Sequence, residues 1–142
     1  MQQVHLLVEG KQIAKVSAAE ISADADRVID AAGLFLAPGL VDPQVHFREP
    51  GMEYKEDIES GSRAAVKGGF TAVISMPNTS PTADNPAIVA KMWRRAQRVG
   101  LCKVYPTAAV TVGLKGESLT DFASLKAAGA IAFTDDGRGV QQ

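Results

Sequence analysis

The pattern of hydrophobic and polar residues changes once along the chain, at Pro38 and Gly39. Before this point the apolar residues form short β-rich runs on either side of glycine-containing turns, which is typical of β-hairpins. Because a few short strands bury little surface alone, we expect residues 1–38 to belong to a small sheet that other parts of the protein complete. The predicted hairpins pair residues 4–8 with 12–16 and residues 27–30 with 34–36.

After this boundary, extended apolar runs alternate with helical ones. The second helix shows the helical pattern best, because its apolar residues recur every three or four positions. Asn85 and Pro86 are typical of the start of such a helix, and Gly100 is typical of its end. The predicted strands are 40–47, 71–76, 103–110 and 130–133, and the predicted helices are 57–67, 86–99 and 118–128.

This order of elements predicts the fold class α/β, with right-handed crossovers and a parallel sheet. Two architectures fit it, the (β/α)8 barrel and the open doubly wound sheet. The open sheet is expected to carry a glycine-rich phosphate loop after its first strand, and no G-x-G-x-x-G follows Phe47. We therefore predict that residues 39–142 form the N-terminal half of a (β/α)8 TIM barrel, with about four strands and three helices, since a complete barrel needs ~250 residues.

Composition narrows the choice of partners and location. With 15 Lys plus Arg against 16 Asp plus Glu, the formal net charge is −1, which gives no reason to expect nucleic acid or an anionic membrane as a partner. The hydrophobic fraction of 46% is that of an ordinary folded protein, and no apolar run reaches the ~18 residues of a transmembrane helix. The single cysteine, Cys102, cannot form an internal disulfide, which predicts a cytoplasmic location.

The C-terminal ends of the strands are the candidate site, because parallel barrels hold their catalytic groups there. The first predicted strand ends with Gln44, His46 and Arg48. Side chains two residues apart share one face of a strand, so these three are expected to point together into the barrel mouth. Histidine can bind zinc, and arginine can bind a carboxylate with two hydrogen bonds. The plainer alternative is a buried, hydrogen-bonded histidine and a surface arginine.

Two further strand ends carry polar side chains. The second strand is followed by Asn78, whose amide can bind an amide or carboxylate ligand but which also suits a simple turn. The fourth is followed by Asp135 and Asp136, two adjacent carboxylates that are costly to bury without a cation or hydrogen bonds. Either aspartate could instead cap a turn. Each signal is weak alone, but their joint placement at successive strand ends indicates a functional site.

Three sequence motifs carry a resemblance to a known family. Residues 38–51 (PGLVDPQVHFREPG) resemble the opening of the amidohydrolase superfamily. Together with residues 76–79 (MPNT) and 133–137 (FTDDG), they are similar to the dihydroorotases of the long bacterial class. Hydantoinases and allantoinases share the first motif in part but not the full set. The resemblance extends from about residue 4 to the end of the chain.

The resemblance implies the reversible conversion of N-carbamoyl-L-aspartate to L-dihydroorotate, a step of de novo pyrimidine (UMP) biosynthesis. It also implies one or two zinc ions as cofactor, which supply both the nucleophile and a Lewis acid. By motif, His46 and Asp136 are implied zinc ligands, and Arg48 and Asn78 are implied to bind the substrate. Asp135 is implied to support Asp136 from outside the ligand set.

The first motif departs from the family pattern at one position. The family has His-x-His there, whereas this chain has Gln44 before His46. A neutral amide oxygen is a poorer zinc ligand than imidazole, so Gln44 is a weak metal ligand at the usual histidine position. The change is compatible with a one-metal site, with a weakened site, or with a non-catalytic dihydroorotase-like scaffold subunit that partners aspartate transcarbamoylase. The retained Arg48, Asn78 and Asp136 favour the enzyme, because a scaffold needs no substrate-binding residues.

Members of the family are longer than this chain, which resembles their N-terminal portion. The resemblance implies that the rest of such a protein supplies two more histidine ligands, the catalytic aspartate and the remaining barrel strands. It also implies that residues 1–38 are part of a small β-sandwich domain, which further strands complete. The chain alone has two strong zinc ligands where a catalytic zinc needs three, so we expect it to be inactive by itself. The full-length protein is expected to be a homodimer that acts on a small-molecule substrate. An alternative is that two half-barrels pair through their open sheet edges.

Overall fold

The structure is a computed structural model, and it describes residues 3–140. The chain divides into two compact units, Met1–Leu36 and Ala37–Gln142. The strands are β1 (His5–Glu9), β2 (Gln12–Ser17), β3 (Leu40–Val45), β4 (Phe70–Ser75) and β5 (Lys103–Pro106). The helices are α1 (Ile58–Lys67), α2 (Pro86–Val99) and α3 (Phe122–Ala127), with a short 3₁₀ helix at Val112–Leu114. Within residues 3–140, no helix has the length and apolar character needed to cross a bilayer.

The first unit contains the first predicted hairpin. β1 and β2 pair antiparallel, with Glu9 opposite Gln12 at the turn. Gly10 has a φ of 61°, a left-handed backbone conformation that suits such a two-residue connection. The prediction of this hairpin is confirmed.

The prediction of a second hairpin in this unit is wrong. Residues 27–36 contain no strand, and they form a turn in which the Leu34 N–H donates to the Ala31 carbonyl at 3.0 Å. The side chains that were expected to face a core remain in solvent, with Phe35 82% exposed and Leu34 73% exposed. Ordering two short strands costs conformational entropy. Their pairing does not offset this cost when the apolar face of the hairpin stays in solvent.

The second unit is built on a parallel sheet in the order β3-β4-β5, so β4 is the central strand. Helix α1 packs on β4 and α2, and α2 packs on β5 and α3. Four of these elements each contribute a core residue that is at most 1% exposed, namely Ile58 in α1, Val73 in β4, Val89 in α2 and Leu125 in α3. The alternation of strand and helix predicted for this part of the chain is confirmed.

The helices begin at residues that satisfy their free N–H groups. Asn85 caps α2 by accepting from the N–H of Ile88 at 3.2 Å, and Gly100 ends the helix with a φ of 60°. Asp57 caps α1 by accepting from the N–H of Ser60 at 2.8 Å. This backbone hydrogen bond lowers the pKa of the Asp57 carboxyl, because it stabilises the charged form.

The fourth predicted strand is reduced to one isolated parallel bridge, between Ala108 and Phe133. Pro106 explains the interruption, because its carbonyl accepts from the Ile131 N–H at 3.1 Å but it has no N–H to donate in return. In the part of the chain that the structure describes, the second unit therefore has three strands where about four were predicted.

Helix α3 is shorter than predicted, with six residues. The residues before it pair with the chain after β5, where the Thr120 N–H donates to the Val110 carbonyl at 2.9 Å and the Val112 N–H donates to the Ser118 carbonyl at 2.8 Å. Asp121 then caps α3 by accepting from the Ser124 N–H, so the helix begins at Phe122 and residues 118–120 are not helical.

The packing of α1 on the loop after β3 gives a first testable prediction. A Cβ at Gly61 would lie 2.4 Å from the ring of Phe47, so Gly61→Ala must displace that ring. Overpacking costs ~1–3 kcal/mol. This cost outweighs the gain of up to ~1 kcal/mol from the higher helix propensity of alanine, so the free energy of unfolding is expected to fall. Gly68→Ala is the control, because its Cβ would meet nothing nearer than 3.2 Å. Urea unfolding measures the free energy of unfolding of both variants. An equal decrease in Gly61→Ala and Gly68→Ala would contradict this explanation.

Candidate active site

Three of the predicted site residues lie at the end of β3. The strand ends before His46, so Gln44 is in the strand while His46 and Arg48 lie beyond it. The predicted alternation along one strand therefore does not extend to Arg48. Instead, Arg48 is the central residue of a tight turn, with a φ of 56° and the Glu49 N–H donating to the Phe47 carbonyl at 2.6 Å.

Four side chains meet at the C-terminal edge of the parallel sheet, around the Asp136 carboxylate. Gln44 Nε2 donates to Asp136 Oδ1 at 3.0 Å, and Asn78 Nδ2 donates to Asp136 Oδ2 at 2.6 Å. His46 Nδ1 lies 3.1 Å from Asn78 Oδ1 and 3.7 Å from Asp136 Oδ2. The structure thus brings together four residues that the sequence places at three separate strand ends. We call this group the Asp136 cluster.

The hydrogen bonds of the Asp136 cluster determine which nitrogen of His46 carries the proton. An ionised carboxylate only accepts, so the Asn78 amide turns its NH₂ group to Asp136 and its oxygen to His46. With Asn78 Oδ1 as its acceptor, a His46 ring that carries one proton donates from Nδ1 and has its lone pair on Nε2. A neutral imidazole with one hydrogen-bonded nitrogen and one free nitrogen is the form in which histidine binds metals.

Asp136 retains the capacity to bind a further partner. Each of its oxygens accepts one amide hydrogen bond, which leaves about two of the roughly four lone-pair positions of an ionised carboxylate unused. Asp136 also has a φ of 31°, and together with Arg48 it makes two of the three non-glycine residues with positive φ in residues 3–140. Such backbone conformations tend to lie in functional sites, where the surrounding structure maintains them.

The Asp136 cluster fits part of a zinc site. The imidazole of His46 and the carboxylate of Asp136 are both groups that zinc prefers. No three His, Cys, Asp or Glu side chains within residues 3–140 are grouped so that they could hold a metal ion. A zinc ion bound here would have two strong ligands from the cluster, where a catalytic zinc needs three. Gln44 presents its NH₂ group to Asp136 in this arrangement, so it acts as a hydrogen-bond donor.

Asp135 has a different role from its neighbour Asp136. Its side chain is buried and accepts hydrogen bonds from the N–H of Val110 at 2.8 Å and from the N–H of Thr111 at 3.0 Å, and also from the Thr111 hydroxyl. These contacts hold the segment after β5 against the end of the fourth predicted strand. Asp135 therefore orders this segment, and these hydrogen bonds do not connect it to the Asp136 side chain.

An ion pair lies next to Arg48 and was not predicted from the sequence. Glu49 Oε1 accepts from Arg95 Nε at 3.2 Å. The position of Glu49 beside Arg48 in the first motif was a usable signal. Arg95 lies in α2, 46 residues further along, and no local pattern distinguishes it from the other charged residues of that helix.

Comparison with protein families shows where the chain belongs. A family model described as dihydro-orotase-like matches residues 33–142, which is more than half of the chain. The chain belongs to the dihydro-orotase-like family. The resemblance drawn from the three motifs is thereby confirmed.

Individual relatives of this dihydro-orotase-like chain agree with that result. Curated dihydroorotases from Syntrophotalea carbinolica and Mycobacterium leprae are 54% and 52% identical to it, over 95% and 98% of the chain. A dihydroorotase from Aquifex aeolicus is 50% identical over 95% of the chain. The chain spans about a third of the length of these relatives, with 32%, 33% and 32% of them covered.

A solved structure supports the predicted architecture of the dihydro-orotase-like chain. L-Hydantoinase (dihydropyrimidinase) from Arthrobacter aurescens matches it with a TM-score of 0.78 and 28% sequence identity, over 92% of this chain and 28% of the hydantoinase. The fold class is therefore α/β, with the second unit forming an N-terminal portion of a (β/α)8 barrel, and the alternative of an open doubly wound sheet is excluded.

Proposed function

We propose that this chain is the N-terminal portion of a zinc-dependent dihydroorotase, which interconverts N-carbamoyl-L-aspartate and L-dihydroorotate in pyrimidine biosynthesis. The observation that carries the proposal is the Asp136 cluster at the C-terminal edge of the sheet, where barrel enzymes hold their catalytic groups. The curated dihydroorotases that are more than 50% identical to the chain support it.

In this proposal His46 and Asp136 hold the metal, and Asn78 orients both through the two ends of its amide. When bound, zinc lowers the pKa of water and polarises a carbonyl group. The second N–H of Asn78 is available to the substrate. Arg48 binds the substrate carboxylate, and its guanidinium forms no hydrogen bond or ion pair with any other residue of the described range 3–140.

The rest of the proposal concerns the longer protein. The remaining zinc ligands and the catalytic aspartate belong to the parts of the barrel that this sequence does not include, and the isolated chain is inactive. A domain boundary at residues 38 and 39 separates the β-sandwich from the barrel. The full-length protein is a cytoplasmic homodimer that binds a small-molecule substrate. The single cysteine, Cys102, stays reduced in the cytoplasm.

The test is the hydrolysis of L-dihydroorotate by the full-length protein loaded with zinc. We expect turnover that disappears after treatment with a chelator and returns when zinc is added. Dihydrouracil, which lacks the carboxylate, is the control and should be a poor substrate, because Arg48 is then left without its partner. Absence of hydrolysis by zinc-loaded protein would contradict the proposal and favour a non-catalytic scaffold.

A further inference from the structure

A partly buried ion pair joins the Arg48 turn to α1 and α2. Glu49 Oε1 accepts from Arg95 Nε at 3.2 Å, and Glu49 Oε2 accepts from the N–H of Ile58, the first residue of α1, at 2.9 Å. The side chains of Glu49 and Arg95 are 14% and 35% exposed. Both carboxylate oxygens are therefore engaged, in hydrogen bonds that the charge strengthens.

Arg95 connects the same turn to a second carboxylate. Its Nη2 lies 3.4 Å from Glu59 Oε2 in α1, and Glu59 Oε1 accepts from Arg63 at 2.9 Å. The hydrogen bonds from Arg63 and Arg95 lower the pKa of Glu59, because they stabilise its charged form. One guanidinium in α2 thus reaches both α1 and the residue that follows Arg48.

The turn at Arg48 requires support from its surroundings. A φ of 56° is a conformation that residues other than glycine rarely adopt, and it persists only where neighbouring contacts maintain it. On the far side of the turn, the Pro50 carbonyl accepts from the Ser80 N–H at 2.9 Å. Gly51 lies so close to Ser80 that a Cβ would meet the Ser80 carbonyl oxygen at 1.7 Å. The Glu49–Arg95 pair anchors the other side of the turn.

We propose that Glu49 and Arg95 form a positioning pair that holds Arg48 in the backbone conformation in which it binds the substrate carboxylate. The proposal rests on the proposed function, since it requires that Arg48 binds that carboxylate. Glu49 and Arg95 do not contact the substrate in this role. They act through the backbone of the turn, because Glu49 directly follows Arg48.

The first test is Glu49→Gln in the full-length protein. This change removes the charge but keeps a carbonyl oxygen for the Ile58 N–H. We expect KM for dihydroorotate to rise about tenfold while kcat changes less than about twofold, because Arg48 binds the carboxylate equally in the ground state and the transition state. Arg95→Gln breaks the same pair from the other side and should give the same result, so the test stands if one variant fails to fold.

Two further variants separate positioning from general destabilisation. Glu59→Gln is the matched control, because it leaves the Glu49–Arg95 contact in place, and its KM should equal that of the unchanged protein. In an Arg48→Ala background, Glu49→Gln should raise KM no further, since the residue that it positions is gone.

The outcomes distinguish this proposal from the proposed function. An unchanged KM in both Glu49→Gln and Arg95→Gln, or an additive effect in the Arg48→Ala background, would overturn the positioning role and leave the dihydroorotase activity intact. Absence of hydrolysis by the unchanged protein would overturn both.

Discussion

Replacing His46 by alanine is expected to remove zinc from the full-length protein and to lower kcat/KM for dihydroorotate by ~100-fold or more. His46 supplies the one imidazole of the Asp136 cluster, and its Nε2 is free because Nδ1 donates to Asn78. Loss of an outer partner of a zinc ligand already costs ~10–100-fold in metal affinity or activity, so loss of the ligand itself should cost at least as much. Elemental analysis after removal of loosely bound metal measures the ratio of zinc to protein.

The chain offers a matched control for this experiment. His5 is the other histidine of the sequence, and it is exposed on β1. His5→Ala should therefore keep the zinc content and the activity of the unchanged protein. Equal zinc in His46→Ala and His5→Ala would show that His46 is not a ligand, and the proposed zinc site would then have to be assigned to other residues.

The barrel portion of the fold could be predicted because its signals are local. A capping residue such as Asn85 and the three- to four-residue spacing of apolar side chains each act within one turn or one helix. The two wrong predictions, the second hairpin and the fourth strand, concern elements that form only through contacts with distant parts of the chain. Residues 27–36 have the composition of a hairpin, but their apolar side chains are exposed within the described residues 3–140. Pro106, from another part of the chain, interrupts the bridge to the fourth predicted strand.

The residues of the candidate site could be predicted from their positions at the strand ends, but the hydrogen bonds between them could not. The topology of a parallel barrel brings the ends of successive strands to one edge, and that was enough to place His46, Asn78 and Asp136 together. Gln44 donates a hydrogen bond to Asp136, which lies 92 positions further along the chain. The periodicity of the sequence cannot predict a contact between residues so far apart. Arg48 lies in a turn with positive φ, whereas the residue pattern predicts a continuous strand.

Gln44 accounts for how the Asp136 cluster is ordered without a second histidine. Its Nε2 and the Asn78 Nδ2 give each oxygen of Asp136 one neutral amide donor. These donors orient the carboxylate without adding a charge or a ligand of their own. In the proposed zinc site, His46 would be the one ligand from β3 and its loop, which is a weaker arrangement than two imidazoles.

Gln44→His is therefore expected to tighten zinc binding by the full-length protein by about 10–100-fold, the range by which a single partner of a zinc ligand alters affinity. The physical reason is that an imidazole would add a zinc ligand at a position where Gln44 supplies only a hydrogen-bond donor to Asp136. Competition with a chromogenic chelator measures the affinity. Gln44→Asn is the control, because it keeps the amide on a shorter side chain and adds no ligand, so it should not tighten binding. An unchanged affinity in Gln44→His would mean that the amide donor to Asp136 matters more than an added ligand.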